Sequence, residues 1–332
     1  MRNEEAQGFV PGDLVGRSPA MAELIQQIET VAPTDITVLI EGEPGSGKSL
    51  VAQTVHRLGR RAGRPFVRVD AAGLGEEFFD SEMFGYRPGV FPEAPEVREG
   101  LAGVADGGTL YFDGIDQLPL DSQAKLARFL DSRLVQPLGA AHPRPVDLRI
   151  LASSRIDLKA LLRTGRFRSD LYFRLRGFLL RVPSLRERRE DLPLLVEHLL
   201  SRYVHRYGKP IAGVSPAALE ALLAHPFAGN LRELESEIER AVVRTAPGGT
   251  IQPEALPLAT MEAGSAGAAE VPLRQYRRDQ ERAMVVEALE ATRWNVSAAS
   301  RRLGLSRVGL SKKIKALGLR RPSFPLGRRR FI

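Results

Sequence analysis

Residues 42–49 read Gly-Glu-Pro-Gly-Ser-Gly-Lys-Ser and directly follow the apolar run 37–41. This G-x-x-x-x-G-K-[ST] spacing, with a strand pattern before it and a helix pattern after it, admits few folds. It describes a loop whose backbone N–H groups close around phosphate oxygens, with a helix N-terminus adding partial positive charge. Gly42, Glu43, Pro44, Gly45, Ser46 and Gly47 would form the cradle, Lys48 would reach the β- and γ-phosphates, and the Ser49 hydroxyl would bind Mg²⁺. A glycine-rich turn without a ligand is the competing reading, and the strand–loop–helix context weighs against it. The second half of such a site is an acid at the end of a neighbouring strand. Asp113, which ends Gly108-Thr109-Leu110-Tyr111-Phe112-Asp113, is the candidate to hold Mg²⁺ through water.

The surrounding pattern agrees with a parallel sheet. Runs rich in β-branched or aromatic residues fall at 37–41, 66–69, 109–112, 148–152 and 178–182, nearly continuous in apolar character as strands buried on both faces require. Helical patterns at 21–31, 48–57 and 122–130 lie between them. The expected fold class is α/β, a P-loop doubly wound parallel sheet. Beyond Pro183 the character turns helical, and amphipathic segments at 192–207, 216–223 and 230–245 are expected to form a smaller lid. Residues 261–270, rich in Ala, Gly and Ser, read as a linker. The expected divisions are an N-terminal extension 1–13, an α/β subdomain 14–185, a helical lid 186–258, a linker 259–271, a small all-α domain 272–319 and a basic tail 320–332.

Charge is unevenly placed along the 332 residues, whose formal net charge is +8. From residue 272 onward there are 16 Lys and Arg against 4 Asp and Glu, a net of +12, so the preceding part carries −4. A mildly acidic body with a strongly basic end points to nucleic acid at the C-terminus, the alternative being a solvated basic tail. The absence of cysteine excludes disulfides and thiolate metal sites. The five histidines, His56, His142, His198, His205 and His225, are scattered; His198 and His205 could share a helix face, but no ligand cluster accompanies them. No stretch approaches the ~18 apolar residues of a membrane span, and the first eight residues do not read as a signal peptide. The expected location is the cytoplasm.

Beyond these features, a series of segments resembles the AAA+ bacterial enhancer-binding proteins, which activate RNA polymerase carrying sigma-54. The resemblance runs from about residue 15 to 319. It is carried by Val15-Gly16-Arg17-Ser18, the phosphate loop, Asp80-Ser81-Glu82-Met83-Phe84-Gly85, Ala105-Asp106-Gly107-Gly108-Thr109-Leu110 and Leu118-Pro119-Leu120-Asp121-Ser122-Gln123-Ala124-Lys125-Leu126. Phe167-Arg168-Ser169-Asp170-Leu171-Tyr172-Phe173-Arg174-Leu175, Pro183-Ser184-Leu185-Arg186-Glu187-Arg188 and Gly229-Asn230-Leu231-Arg232-Glu233-Leu234 extend it. The resemblance implies that Arg168 and Arg174 act as fingers on a neighbouring subunit's γ-phosphate, which makes oligomerisation a condition of activity. It implies that Arg232 is the lid's sensor arginine, with ATP and Mg²⁺ as cofactors.

Departures from the family pattern carry equal weight. Where members that engage sigma-54 have Gly-Ala-Phe-Thr-Gly-Ala, this chain has Gly89-Val90-Phe91-Pro92-Glu93-Ala94. Proline fixes φ and removes a donor, and glutamate brings charge where glycine had freedom, so direct engagement of sigma-54 is not expected. The family's water-polarising glutamate is Gly114, the asparagine that restrains it is Asp70, and the sensor asparagine after the fourth strand is Arg155. Loss of a positioned general base typically costs ~10²–10⁴ in rate. Phosphate-binding groups are kept while water-activating groups are lost, so ATP binding with impaired hydrolysis is expected.

Residues 279–319 resemble the Fis-type helix-turn-helix that ends these proteins. Val285, Val286, Leu289 and Trp294 would pack its core, residues 295–304 would make the first helix and turn, and Ser306 would cap a recognition helix at 307–317. Leu310, Ile314 and Leu317 recur at inward-facing spacing, and Arg307, Ser311, Lys312 and Lys315 would face DNA. The expected partners are double-stranded DNA with a palindromic site and further copies of the chain, from a dimer to a hexameric ring, or a mixed ring with a relative. RNA polymerase is a further candidate partner. The leading reading is a DNA-binding, ATP-binding regulator. A fully active sigma-54 activator ATPase and a AAA+ remodelling enzyme or chaperone stand as alternatives, and a helical interaction module is the alternative for the C-terminal segment.

Overall fold

The computed structural model describes residues 9–10, 14–90 and 97–256, and positions 285, 289, 292, 294–296, 299, 300, 310 and 314 of the C-terminal segment. Five strands, Val38–Glu41 (β1), Phe66–Asp70 (β2), Thr109–Asp113 (β3), Arg149–Ser154 (β4) and Phe178–Arg181 (β5), pair in parallel in the order β5-β1-β4-β3-β2. All five sequence-derived strands are present. The fourth starts one residue later than expected and runs on to Ser154, the position before Arg155.

The sheet is buried on both faces by alternation along each strand. Leu39, Leu110, Phe112, Ile150 and Ala152 enter one apolar layer with Met83 of α3 (Phe79–Phe84), Ala102 of α4 (Leu101–Val104), Leu126 of α5 (Leu120–Ser132), Leu158 of α6 (Leu158–Arg163) and Leu171 of α7 (Ser169–Leu175). Val38, Ile40, Tyr111 and Leu151 enter the other, with Leu24 and Ile28 of α1 (Pro19–Val31) and Val51 and Val55 of α2 (Lys48–Arg57). Each fully buried aliphatic side chain contributes roughly 1.5–3 kcal/mol, so both layers hold the strand ends at fixed positions. Those ends carry the site. Within the first unit, α8 (Leu192–Tyr207), α9 (Pro216–Ala224) and α10 (Asn230–Arg244) bury Leu195, Leu199, Leu222, Leu234 and Ile238 in a separate core.

Two helix starts differ from the sequence pattern, and each has a local cause. Helix α1 begins at Pro19, because proline suits the first turn and Ser18 caps it by accepting from Met21 N at 3.3 Å. Helix α5 begins at Leu120, directly after Pro119. Asp191, buried at the start of α8, accepts from the backbone N–H of Arg17 at 2.6 Å and of Ser18 at 2.8 Å, and from the Ser18 hydroxyl at 2.7 Å. A long-range carboxylate thereby fixes where the first helix starts.

The chain divides into two compact units, Met1–Thr260 and Met261–Ile332. In the second, Val285, Leu289, Ala299 and Leu310 are buried together, with Trp294, Val296 and Ile314 packed against them. Val285, Leu289, Trp294, Leu310 and Ile314 therefore lie in a common apolar cluster, as their spacing predicted. Val286, Leu317 and the DNA-facing candidates Ser306, Arg307, Ser311, Lys312 and Lys315 lie outside the described residues, as do Phe91, Pro92, Glu93 and Ala94. Among the described residues no helix is long and apolar enough to cross a membrane.

Candidate functional site

The phosphate loop leaves β1 and enters α2. Gly45 and Gly47 adopt φ of 76° and 106°, which side-chain-bearing residues rarely take. At Gly45 a Cβ would also lie 2.1 Å from the Gly229 carbonyl oxygen of the lid. Lys48, only 7% exposed, donates to the carbonyls of Gly42 at 2.7 Å and Glu43 at 2.8 Å. Burial pushes its ammonium below the usual lysine range; Asp113 and Asp116 oppose that shift, and Arg155 and Arg232 add to it. The same ammonium thus feels four named charges, all close to the loop.

Asp113 sits at the end of β3, beside the loop. Its Oδ2 accepts the Ser49 hydroxyl at 3.0 Å and pairs with Arg68 Nη2 of β2 at 2.6 Å. Its Oδ1 accepts from Ser153 Oγ at 2.8 Å and from the Tyr111 hydroxyl at 3.1 Å. Burial acts to raise the Asp113 pKa, but the Ser153 hydrogen bond, the Arg68 charge and the Ser49 and Tyr111 hydroxyls outweigh it and hold the carboxyl below the usual range. Burial likewise pushes the Tyr111 hydroxyl upward, so it stays protonated and donates. A serine hydroxyl and a carboxylate oxygen meeting at one point are the hard-oxygen donors that Mg²⁺ prefers.

Next to this carboxylate stands Gly114, left-handed at φ 76° and ψ 47°, with its N–H on Ser153 Oγ at 3.1 Å. Asp70 is exposed and accepts from the nearby Ala72 N–H at 3.1 Å. Asp116 has a side chain just 4% exposed and faces Arg155. The Arg155 backbone N–H donates to its Oδ1 at 3.1 Å, while Nε and Nη2 both lie 3.1 Å from its Oδ2. A carboxylate so engaged with Arg155 is not a free base that could stand in for a glutamate at position 114.

The lid reaches the loop through residues that sequence reasoning missed in this role. Asn230 Nδ2 donates to Glu43 Oε2 at 3.2 Å and to the Pro44 carbonyl at 3.1 Å, and Arg186 pairs with Glu43. The Arg186 hydrogen bonds, followed by that of Asn230, hold the Glu43 carboxyl low. Arg232 is exposed on α10, with its Cβ 3.2 Å from the Cβ position at Gly45. The structure therefore brings together the phosphate loop, Asp113 and Arg232. It does not bring Arg168 and Arg174 to that loop: Arg168 pairs with Asp170 at 2.9 Å, and Arg174 pairs with Asp131 of α5 and donates to the Asp170 carbonyl at 2.7 Å. Arg68 and Tyr111 were missed too. The available signal was that Tyr111 and Asp113 stand two apart on a strand and so share a face, with Arg68 in register opposite Tyr111.

A P-loop parallel sheet in this strand order, with a helical lid touching the loop at Asn230, defines a AAA+ nucleotide-binding module. Family models agree along the chain: a sigma-54 interaction domain matches residues 14–181, a AAA+ ATPase lid domain 186–272, and a bacterial regulatory protein of the Fis family 276–317. The chain belongs to the sigma-54-dependent family of bacterial transcription regulators, with a AAA+ module and a Fis-type helix-turn-helix. It is 42% identical to the response regulator PilR of Pseudomonas aeruginosa over 325 residues, covering 96% of this chain and 73% of that protein. It is 41% identical to the transcriptional regulatory protein ZraR of Escherichia coli strain K12, covering 91% and 68%. The crystal structure of NtrX from Brucella abortus in complex with ATP superposes with a TM-score of 0.67 at 33% identity, covering 93% of this chain and 70% of that one.

Proposed function

We propose that this regulator binds DNA through its C-terminal segment and binds ATP without efficient hydrolysis. The observation that carries this reading is Gly114, which follows a complete phosphate-binding set of Lys48, Ser49 and Asp113 and offers no side chain to activate water. Gly42, Glu43, Pro44, Gly45, Ser46 and Gly47 cradle the phosphates, and Arg232 contributes from the lid. Ser49 and Asp113 would hold Mg²⁺, which would neutralise phosphate charge there. Arg68, whose side chain is 57% exposed, is free to swing away from Asp113 at little cost.

Arg168 and Arg174, turned to Asp170 and Asp131 rather than to their own loop, suit a role in trans on a neighbouring copy's nucleotide. The assembly is a homo-oligomer or a mixed ring with an intact relative. In that mixed ring this chain supplies fingers and DNA contacts while the relative supplies turnover. Direct contact with sigma-54 is weakened by Pro92 and Glu93, so the protein acts at promoters as a partner subunit or as a repressor, in the cytoplasm.

DNA contact comes from Ser306, Arg307, Ser311, Lys312 and Lys315. The test is an electrophoretic shift of the full chain, and of a chain ending at residue 260, on a mapped palindromic operator and on scrambled DNA. The full chain is expected to shift the operator with steep salt dependence, Lys315→Ala to weaken both DNAs alike, and Arg307→Ala to erode discrimination by ~1–3 kcal/mol at one base pair. Equal binding by the truncated chain would assign the C-terminal segment to protein interaction instead.

A further inference from the structure

The two oxygens of Asp113 have unlike surroundings. Oδ1 accepts from Ser153 Oγ at 2.8 Å and lies 3.1 Å from the Tyr111 hydroxyl, whose proton it shares with Ser153 Oγ at 2.9 Å. Ser153 Oγ also accepts the Gly114 N–H at 3.1 Å. With two acceptor sites and one proton, the serine hydroxyl is then fully used, and its proton is left to Asp113. Neither Tyr111 nor Ser153 exposes surface to solvent. Tyr111 stands two residues before Asp113 on β3, so both point to one face, and Ser153 comes from the paired strand β4. The Tyr111 ring stacks on Phe66, with centroids 5.9 Å apart, so packing of the ring sets where the hydroxyl falls. Oδ2, in contrast, meets the Ser49 hydroxyl at 3.0 Å and the exposed Arg68, which can leave. One oxygen is capped by buried hydroxyls, and the other carries partners that can be exchanged.

We propose that Tyr111 and Ser153 are positioning residues that hold Asp113 with only Oδ2 open to a metal, and so make the site select Mg²⁺ over Ca²⁺. This rests on the nucleotide-binding reading of the phosphate loop, with Ser49 and Asp113 as its metal donors. The physical reason is the number of oxygens the carboxylate can offer. Mg²⁺ requires a near-ideal octahedron and keeps several waters, whereas Ca²⁺ takes about six to eight oxygens and often both from one carboxylate. Turning Asp113 to present both oxygens would break the hydrogen bonds on Oδ1 and leave two buried hydroxyls without their acceptor, which is costly. The carboxylate therefore serves a metal, or a water on that metal, through Oδ2 alone. Hydroxyls are neutral, so they orient Asp113 without cancelling the charge that attracts the cation. Partners behind a metal ligand act in this way elsewhere, and their loss typically changes metal affinity by ~10–100-fold.

The test is calorimetric binding of the β,γ-imido analogue of ATP, in EDTA, in Mg²⁺ and in Ca²⁺, to the full chain and to Tyr111→Phe and Ser153→Ala. Each substitution removes one hydroxyl and keeps the rest of the side chain. Wild type is expected to bind the Mg²⁺ complex about tenfold or more tightly than the Ca²⁺ complex. Each variant should lose about tenfold in affinity for the Mg²⁺ complex, while the metal-free analogue and the Ca²⁺ complex stay within about threefold of wild type. A role confined to stability would lower the melting temperature and leave the metal preference alone. Melts in EDTA establish that each variant is folded, and one folded variant suffices for the test. A preference for Mg²⁺ that survives in a folded variant, or an equal loss of affinity in EDTA, Mg²⁺ and Ca²⁺, overturns the proposal while the nucleotide reading stands. So does a wild type that binds the two metal complexes equally. Wild type that binds the analogue under none of the three conditions overturns both.

Discussion

Arg68 Nη2 lies 2.6 Å from Asp113 Oδ2, the same carboxylate oxygen that accepts the Ser49 hydroxyl at 3.0 Å. The chain's own cation therefore occupies the oxygen to which Mg²⁺ is assigned, and metal and arginine compete for it. Arg68 is more than half exposed, so the pair is worth ~0–1 kcal/mol. Arg68→Ala should accordingly lower, by a factor of up to about five, the Mg²⁺ concentration that half-saturates ATP binding. A Mg²⁺ titration of ATP binding in both proteins checks this; a higher requirement in the variant would assign Arg68 to the phosphates instead.

The acid limb of stability should depend on Asp113. Its folded pKa is depressed, so the network with Ser153, Arg68, Ser49 and Tyr111 contributes stability above the ordinary aspartate value of ~3.9 and loses it as pH falls through the lower folded value. Melting temperatures of wild type and Asp113→Asn between pH 3 and pH 7 should differ most at the neutral end and converge at the acid end. A gap that widens on acidification would show that the carboxylate is not held in its charged form.

Gly114→Glu should restore turnover, more fully when combined with Asp70→Asn and Arg155→Asn. The structure adds the cost. The position is left-handed, and a Cβ there would lie 2.5 Å from Gln117 Nε2, the movable end of a side chain. Gln117 can yield, but the backbone conformation costs ~1–2 kcal/mol for a non-glycine residue. Phosphate-release assays should show a gain on the order of 10² or more, alongside a lower melting temperature. A gain in neither the single nor the triple variant would mean that the missing glutamate is not what limits the rate.

Much of this site was legible in the sequence because it is local. The phosphate loop is one short segment, the glycine beside Asp113 directly follows it in the chain, and the continuous apolar runs marked strands buried on both faces. What the sequence could not yield were pairings across the chain. Asp191 caps an N-terminus 173 positions away, Asn230 reaches Pro44 over a separation of 186, and Arg68 meets Asp113 only because β2 and β3 are neighbours. Residue spacing carries no information about such contacts. The sequence gap between Asp116 and Arg155 likewise hid their ion pair.

Arg168 and Arg174 are assigned to a neighbouring nucleotide, so their removal should spare binding and impair assembly. In Arg168→Ala and Arg174→Ala, ATP affinity measured at low protein concentration should match wild type, while light scattering should show a smaller ATP-promoted rise in mass. Asp131→Ala, which releases Arg174 from its present partner, should leave assembly intact or enhance it. Loss of ATP affinity in the dilute arginine variants would place these residues in cis.

The most direct test measures ATP binding and steady-state ATP turnover on one sample of the full chain with Mg²⁺, with Lys48→Ala as control. Saturable ATP binding that Lys48→Ala abolishes is predicted, together with turnover well below the roughly 1–10³ s⁻¹ common among enzymes, at every protein concentration that supports assembly. Turnover inside that range, lost in Lys48→Ala, would contradict the account and make the chain a working ATPase despite Gly114.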